Sequence, residues 1–175
     1  ILHVGRFRVS NLLTDDYKKQ RFMVETFKKM VDAGLKGWKF NLAASVRKED
    51  EEQFDLLRKF AKSYPIAFHI NKTNKELFSL YNAAMIYWHA SGYGEDLQKH
   101  PELAEHFGIS TVEAMGAGAV PVVINCGGQK EIVTDLENGL LWNTQEELIQ
   151  QTKRLVHDEK MVQALSHKAM IRAKD

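Results

Sequence analysis

Short apolar segments alternate with longer amphipathic segments along the whole chain. Each apolar segment is rich in β-branched or aromatic residues and is followed by polar or glycine-containing residues. This pattern is typical of strands that are buried on both faces of a sheet. It predicts strands over residues 1–7, 39–46, 65–70, 85–90, 120–125 and 140–142.

Between these segments, apolar side chains recur every three or four positions, which is the spacing of one helix face. In the first such stretch they are Phe22, Met23, Phe27, Met30 and Val31. Glycine and proline are the expected stop signals after the first two stretches. The spacing predicts helices over 17–33 and 48–64, a short one around 77–81, and others over 109–117, 145–156 and 160–173.

This strand–helix alternation predicts the fold class. We expect an α/β, Rossmann-like parallel sheet of about six strands with helices on both faces. Such sheets bind ligands beyond the carboxyl ends of their strands, at the point where the strand order reverses. Functional residues are therefore expected from Arg6 onward and in the loops 45–48, 70–75, 90–107 and 126–130.

Composition narrows the function classes. The chain has 175 residues, 44% of them hydrophobic and 27% charged, which predicts one globular domain over 1–175 rather than a disordered chain. A formal net charge of +1 gives no general attraction to nucleic acid. The apolar runs are too short to span a membrane. The single cysteine, Cys126, excludes an internal disulfide, and the seven histidines do not cluster at metal-ligand spacing.

The segment from Glu105 to Glu113 carries the clearest candidate chemistry. Gly108 stands where a helix should begin, and a helix start presents unpaired N–H groups and a positive dipole end, which suit phosphates or sugar hydroxyls. Glu105 precedes this helix and Glu113 lies about a turn inside it, so both carboxylates can accept hydrogen bonds from one ligand. The alternative is that Glu105 is solvated and Glu113 is an ordinary residue of the helix surface.

Two glycine pairs have simpler interpretations. Gly116 and Gly118 follow a helix rather than a strand and lack the third glycine of a dinucleotide fingerprint, so they indicate a tight turn. Gly127 and Gly128 follow a predicted strand. They either expose amides to a ligand or serve turn geometry alone.

Several motifs match one known family together. They are Val4-Gly5-Arg6-Phe7, Lys18-Lys19-Gln20, Glu105-His106-Phe107-Gly108-Ile109-Ser110-Thr111-Val112-Glu113-Ala114-Met115, Gly118, Pro121-Val122-Val123, Gly127-Gly128, Glu131 and Gly139-Leu140-Leu141. This set resembles the donor domain of GT-B glycosyltransferases of family four, which are retaining enzymes that use nucleotide sugars. The resemblance covers nearly the whole chain and implies the C-terminal half of a GT-B fold.

The resemblance also implies a role for each matching residue. Arg6 and Lys18, with Lys19 as the competing register, would clamp the donor diphosphate and neutralise the charge that builds on the leaving group. Glu105 would hold hydroxyls of the donor sugar, and Glu113 would accept hydrogen bonds from the ribose. The other donor-binding candidates are Phe107, Gly108, Ile109, Ser91 and Gly128. The resemblance implies no cofactor and no metal, because side chains and the helix end supply the charge.

The implied activity is transfer of a sugar from a nucleoside diphosphate, with retention, to an acceptor hydroxyl in polysaccharide or glycolipid synthesis. A UDP-sugar is the favoured donor and GDP-mannose the next. The chain starts inside a predicted strand, so we expect an N-terminal acceptor domain that is missing here. This chain would then bind the donor without transferring it. The expected location is the cytoplasm or the inner face of the membrane. A non-catalytic module that serves a partner subunit, and a related epimerase or synthase, are the alternatives.

Three features depart from the family pattern. The spacer between Arg6 and Lys18 is longer than usual, which leaves the lysine register open. The usual loop glycine is missing at Ile70-Asn71, where the nucleobase would bind. Residues 92–104 form an insertion before Glu105. It is either a lid that shapes sugar and acceptor selectivity or a solvated surface loop.

Overall fold

The computed structural model describes residues 1–9 and 16–175. Within them, the apolar segments form one six-stranded parallel sheet, which confirms the predicted fold class. Every strand bound lies within one residue of its prediction. The strands are β1 (Leu2–Phe7), β2 (Phe40–Val46), β3 (Ile66–Ile70), β4 (Ile86–His89), β5 (Val120–Ile124) and β6 (Leu140–Trp142).

Helices connect the strands. They are α1 (Gln20–Asp32), α2 (Glu51–Phe60), α3 (Asn74–Asn82), α4 (Ile109–Gly116), α5 (Gln129–Ile132), α6 (Gln145–His157) and α7 (Glu159–Arg172). The one-turn α5 was not predicted, because a single turn is too short to show a periodic pattern. A 3-10 turn at Lys48–Asp50 replaces the predicted first turn of α2. No helix in the described ranges is both long and apolar enough to cross a membrane.

The helices cover both faces of the sheet because alternate strand side chains face opposite ways. In β4, Ile86 and Trp88 pack into one core while Tyr87 packs into the other. The first core also contains buried residues of α1, α2 and α6. The second contains Tyr81 of α3 and Met115 of α4. Sheet and helices thus form the three layers expected of a doubly wound fold.

The strand order is β3-β2-β1-β4-β5-β6, so the order reverses between β1 and β4. β1 pairs with β2 along its full length, whereas its pairing with β4 consists of Leu2 opposite Tyr87. β1 and β4 are therefore joined near their beginnings, and their carboxyl ends do not pair with each other. A crevice at this switch point is where ligands bind in open parallel sheets.

Candidate functional site

An open cavity of about 630 Å³ lies beyond the carboxyl ends of β1, β2 and β3, beside the start of α4. Its lining includes backbone and side chains from both halves of the sheet. The sequence candidates among its lining residues are Arg6, Lys18, Glu105, Phe107, Ile109 and Glu113. The four sequence candidates that do not line it are Lys19, Ser91, Gly108 and Gly128. The switch point thus brings together six residues that are up to 107 positions apart in the chain.

Glu105 is held at the cavity wall by two donors on one oxygen. Its Oε2 accepts a hydrogen bond from Lys18 Nζ at 2.5 Å and another from His89 Nε2 at 3.1 Å. These contacts, that of His89 first and that of Lys18 second, hold the pKa of Glu105 well below its usual range. The group is therefore a carboxylate at neutral pH. Its other oxygen, Oε1, makes no hydrogen bond to any residue in the described ranges.

The histidine behind Glu105 is neutral and buried. The His89 side chain is 1% exposed, and burial lowers its pKa below the usual range. A carboxylate only accepts hydrogen bonds, so His89 must carry its hydrogen on Nε2. His3 lies beside it, with ring centroids 6.2 Å apart, and bonds the Trp88 carbonyl through Nδ1. Burial lowers the pKa of His3 to about 3.

The two adjacent lysines point to different partners. Lys18 lies at the cavity, while Lys19 turns away and pairs with Glu95 of the insertion at 2.5 Å. The local backbone explains this divergence, because Lys19 has a left-handed φ of 56° just before α1. Asp16 holds that turn, since its carboxylate accepts hydrogen bonds from the backbone amides of Lys18, Gln20 and Arg21. Of these two lysines, Lys18 lines the cavity and Lys19 does not.

The start of α4 forms the cavity wall next to Glu105. Gly108 precedes the helix with a left-handed φ of 62°, and a Cβ there would lie 2.4 Å from the Ile132 side chain. The left-handed conformation favours glycine, whereas the close approach involves only the movable end of the Ile132 side chain. Ile109 and Ser110 follow and line the cavity. Their position at the first turn offers helix N–H groups that have no intrahelical acceptor.

Glu113 lies one turn further into α4 and is exposed to the cavity. The hydroxyl of Tyr81, on α3, donates a hydrogen bond of 2.8 Å to Glu113 Oε2. Its neighbour Ser110 receives a 2.7 Å hydrogen bond from the buried Tyr87 hydroxyl. Each tyrosine thus fixes one polar side chain of the helix face that borders the cavity. The carboxylates of Glu105 and Glu113 line the same cavity.

Gly127 and Gly128 contact the Glu105 segment rather than the cavity. The Gly128 amide donates a 2.7 Å hydrogen bond to the Glu105 carbonyl. A Cβ at Gly127 would lie 2.4 Å from that same carbonyl oxygen, and one at Gly128 would lie 2.3 Å from the His106 carbonyl oxygen. The glycines therefore allow two loops to touch through their backbones, and the Gly128 amide already has a partner within the protein.

Ser91 is likewise behind the cavity wall. Its side chain is buried, and its hydroxyl lies 3.5 Å from His89 Nε2, at the limit of a hydrogen bond. The Ser91 carbonyl accepts a weak contact from the Cys126 thiol. Ser91 thus belongs to the packing that supports His89 and Glu105.

The insertion at 92–104 packs along the side of the domain. Tyr93 lies against Phe22 of α1 and Trp142 of β6, with ring centroids 4.3 and 5.4 Å apart. Glu95 makes the ion pair with Lys19. None of the described lining residues of the cavity comes from 92–104. In this structure the insertion therefore fastens the start of α1 and does not cover the cavity.

Other cavity residues were not singled out from the sequence. Four of them line its far end: Ser45 near the end of β2, His69 near the end of β3, and Asn71 and Lys72 just after β3. Ser45, Asn71 and Lys72 fall in the ranges 45–48 and 70–75, where function was expected, and His69 lies just before the second range. Asn71 stands where the usual loop glycine is missing. It adopts the left-handed φ of 48° itself and bonds the backbone of Val46 in both directions. Asparagine tolerates that conformation better than most residues, so the substitution preserves the turn.

Arg6 lines the cavity without an anionic partner in the described residues. Arg6 is exposed there, and its guanidinium has no hydrogen bond or ion pair with any residue of 1–9 or 16–175. In the same ranges, no group of three or more His, Cys, Asp or Glu side chains is arranged to hold a metal ion. The arrangement can bind an anion at Arg6 and Lys18 and hydroxyl groups at Glu105 and Glu113.

A family model described as glycosyl transferases group 1 matches residues 10–172. The chain belongs to this family. Its sheet order and helix placement are those of a GT-B C-terminal domain, as the resemblance implied. No curated protein matches this group 1 glycosyltransferase domain at a significant level.

Solved structures share the fold of this glycosyltransferase domain. The C-terminal domain of a group 1 glycosyl transferase, LpcC from Francisella tularensis, aligns with a TM-score of 0.77 and 18% identity, over 99% of this chain and 83% of that one. HepE from Anabaena, in complex with UDP and glucose, aligns with a TM-score of 0.75 and 18% identity, over 99% and 42%.

Sucrose-phosphate synthase from Thermosynechococcus elongatus aligns with a TM-score of 0.73 and 20% identity, over 99% of this chain and 40% of that one. The group 1 domain therefore spans well under half the length of HepE and of this synthase. At these identities the structural likeness establishes the fold. The ligands of the neighbours remain properties of those proteins.

Proposed function

We propose that this chain is the donor-binding domain of a retaining glycosyltransferase and that it binds a nucleoside-diphosphate sugar. A UDP-sugar is the favoured donor and GDP-mannose the next. One observation carries the proposal: two cations and two carboxylates, Arg6, Lys18, Glu105 and Glu113, line one cavity at the switch point of the sheet. A nucleotide sugar carries the matching groups, a diphosphate between two sets of hydroxyls.

The diphosphate would bind at Arg6, Lys18 and the first turn of α4. Two cations and a helix N-terminus stabilise the negative charge that grows as the bond between the sugar and the diphosphate breaks. This charge stabilisation requires neither a metal nor a cofactor, and we propose that none takes part. Arg6 has no competing partner in the described ranges, so its guanidinium is available for phosphate oxygens.

The hydroxyl contacts follow from the two carboxylates. Glu113 would accept hydrogen bonds from the ribose, with Tyr81 keeping its carboxylate in place. Glu105 would accept from the donor sugar through Oε1, beside Phe107 and Ile109 at the cavity mouth. Gly108 would let the backbone approach the sugar and phosphate. Lys19, Ser91 and Gly128 would act behind these contacts, because each already has a partner within the protein.

The uracil would lie at the far end of the cavity, near Ser45, His69 and Asn71. Support for uridine comes from HepE, whose fold this chain shares and whose structures hold UDP and UDP-glucose. The nucleotide would therefore run along the carboxyl ends of β3, β2 and β1 toward Glu105.

The proposed reaction moves the sugar from the nucleoside diphosphate to a hydroxyl of an acceptor sugar or glycolipid. The anomeric carbon loses the diphosphate oxygen and gains the acceptor oxygen on the same face, and the acceptor proton leaves toward the departing phosphate. The acceptor site would belong to an N-terminal domain outside this chain. This chain alone should bind the donor without transferring it. We place the reaction in polysaccharide or glycolipid assembly, in the cytoplasm or at the inner membrane face.

A synthase with the same fold is the second candidate, because sucrose-phosphate synthase is among the structural neighbours. It would use the same donor contacts and differ in its acceptor. A non-catalytic module that serves a partner subunit would also bind the donor, and product analysis with the acceptor domain present separates it from an enzyme.

Calorimetric titration of this chain tests the donor site. UDP, GDP, UDP-glucose and GDP-mannose are titrated without added metal into the wild type and Glu113→Gln. Loss of charge-assisted hydrogen bonds to the ribose should weaken nucleotide binding about tenfold or more. Glu146→Gln, an exposed change on α6, is the matched control and should leave binding unchanged. If no nucleotide binds the wild type, or if both variants bind like the wild type, the proposal is wrong.

A further inference from the structure

One of the two side chains that hold the Glu105 carboxylate lies outside the cavity. His89 ends β4, is 1% exposed, and touches Glu105 Oε2 from behind through Nε2. It is not among the residues that line the cavity, so a bound ligand would not meet it. Among residues 1–9 and 16–175, its side chain lies within hydrogen-bond range of the Glu105 carboxylate and, at 3.5 Å, of the Ser91 hydroxyl.

The backbone of the loop does not by itself fix the Glu105 carboxylate. The Gly128 amide holds the Glu105 carbonyl, but three rotatable bonds separate that backbone from the carboxylate oxygens. Two donors, Lys18 and His89, determine where those oxygens lie. Both bind Oε2 and leave Oε1 for a ligand.

The two donors differ in what a ligand would do to them. Lys18 lies in the cavity with its side chain 27% exposed, and a bound diphosphate would compete for its ammonium. His89 is buried, and no ligand group in the cavity can reach it. When Lys18 turns toward phosphate, His89 is the donor that remains on Glu105.

We propose that His89 is a positioning residue for sugar recognition, whose Nε2–H holds the Glu105 carboxylate with Oε1 directed at the donor sugar. This inference rests on the proposed function. It requires a neutral imidazole with its hydrogen on Nε2, and burial favours the neutral form. Because Glu105 would contact the sugar and not the nucleotide, His89 should influence only the contribution of the sugar to binding.

The test measures that contribution directly. UDP-glucose, UDP-galactose, UDP-N-acetylglucosamine and UDP, with GDP-mannose and GDP, are titrated into this chain by calorimetry. For each nucleotide sugar, the gain from the sugar is the Kd of the bare nucleotide divided by the Kd of the nucleotide sugar. The nucleotide sugar with the largest gain is then titrated into three variants of His89, together with its bare nucleotide. His89→Leu removes the hydrogen-bond donor to Glu105. The side chain of His89→Asn is too short to reach Glu105, whereas His89→Gln carries an amide N–H near the position of Nε2. Circular dichroism and thermal melting identify the variants that fold.

In His89→Leu and His89→Asn, we expect the Kd of the nucleotide sugar to rise about tenfold, which removes most of the gain from the sugar. The Kd of the bare nucleotide should change less than about twofold. His89→Gln should keep most of the gain. If His89→Leu fails to fold, the comparison of Asn with Gln decides. The inference is overturned if the gain survives in His89→Asn, if sugar and bare nucleotide weaken together, or if the wild type gains nothing from any sugar.

These outcomes separate the two proposals. A wild type that binds no nucleotide contradicts the proposed function and the inference with it. A wild type that binds a nucleotide sugar but shows the same gain in every His89 variant contradicts the inference alone.

Discussion

The contact between the glycines after β5 and the Glu105 segment should be sensitive to a single methyl group. An alanine Cβ at Gly128 would lie 2.3 Å from the His106 carbonyl oxygen. Because that atom belongs to the backbone, it cannot turn aside as a flexible side chain could. Ordinary van der Waals contact would require one loop to move by about 1 Å. That movement would carry the Glu105 carboxylate with it.

Three glycine-to-alanine variants separate conformational strain from crowding. Gly94 has a φ of +75° and nothing within 4 Å of an added Cβ, so Gly94→Ala introduces strain alone, about 1 kcal/mol. Gly128 has a φ of −65°, so Gly128→Ala introduces crowding alone, about 1–3 kcal/mol. Gly127 has a φ of +55° and a Cβ position 2.4 Å from the Glu105 carbonyl oxygen. Gly127→Ala combines both effects, about 2–4 kcal/mol.

Urea unfolding followed by circular dichroism measures the three losses in the free energy of unfolding. We expect the smallest loss for Gly94→Ala and the largest for Gly127→Ala. Nucleotide-sugar affinity should fall in Gly128→Ala more than in Gly94→Ala, because only the former displaces Glu105. A Gly128→Ala variant as stable as the wild type, with unchanged donor affinity, would refute the reasoning.

Three further outcomes follow from other contacts. Burial lowers the pKa of His3 from 6.5 to about 3. Below pH 6.5, His3 is therefore protonated in the unfolded chain and stays neutral in the folded chain. The contribution of His3 to the free energy of unfolding should fall by about 2 kcal/mol between pH 7 and pH 5. In urea titrations at the two pH values, His3→Asn should lose about 2 kcal/mol less stability than the wild type. Glu95→Gln should weaken the ion pair with Lys19 and lower the thermal midpoint by a few degrees. This variant should weaken UDP binding less than threefold, whereas Lys18→Ala should weaken UDP binding tenfold or more. Tyr81→Phe should weaken UDP binding about threefold. Added to Glu113→Gln, the same change should cause no additional loss, and a double-mutant cycle by calorimetry measures this.

The regular part of the fold was predictable from the sequence because it depends on local pattern. Apolar runs and three-to-four spacing gave all six strands and the six longer helices, since burial on two faces leaves little freedom in side-chain choice. The one-turn α5 has no such pattern. The insertion at 92–104 lacks it as well, and its side-on packing depends on the distant rings of Phe22 and Trp142.

The sequence predicts which residues belong to the candidate site, but not which of their side chains contact one another. The resemblance identified Lys18 and Lys19 together, and separating them requires the left-handed turn at Lys19 that Asp16 holds. The contact of His89 with Glu105 joins a strand end to a loop 16 residues later, across the insertion. No spacing rule connects such positions, because tertiary packing alone brings them together.

The location of bound nucleotide tests the central claim most directly. A crystal structure of this chain grown with UDP should show the diphosphate within hydrogen-bond distance of Arg6 and Lys18, and the ribose hydroxyls within that distance of the Glu113 carboxylate. The uracil should lie toward Ser45 and Asn71. UDP bound elsewhere on the domain, or in this cavity with its ribose away from Glu113, would contradict the account.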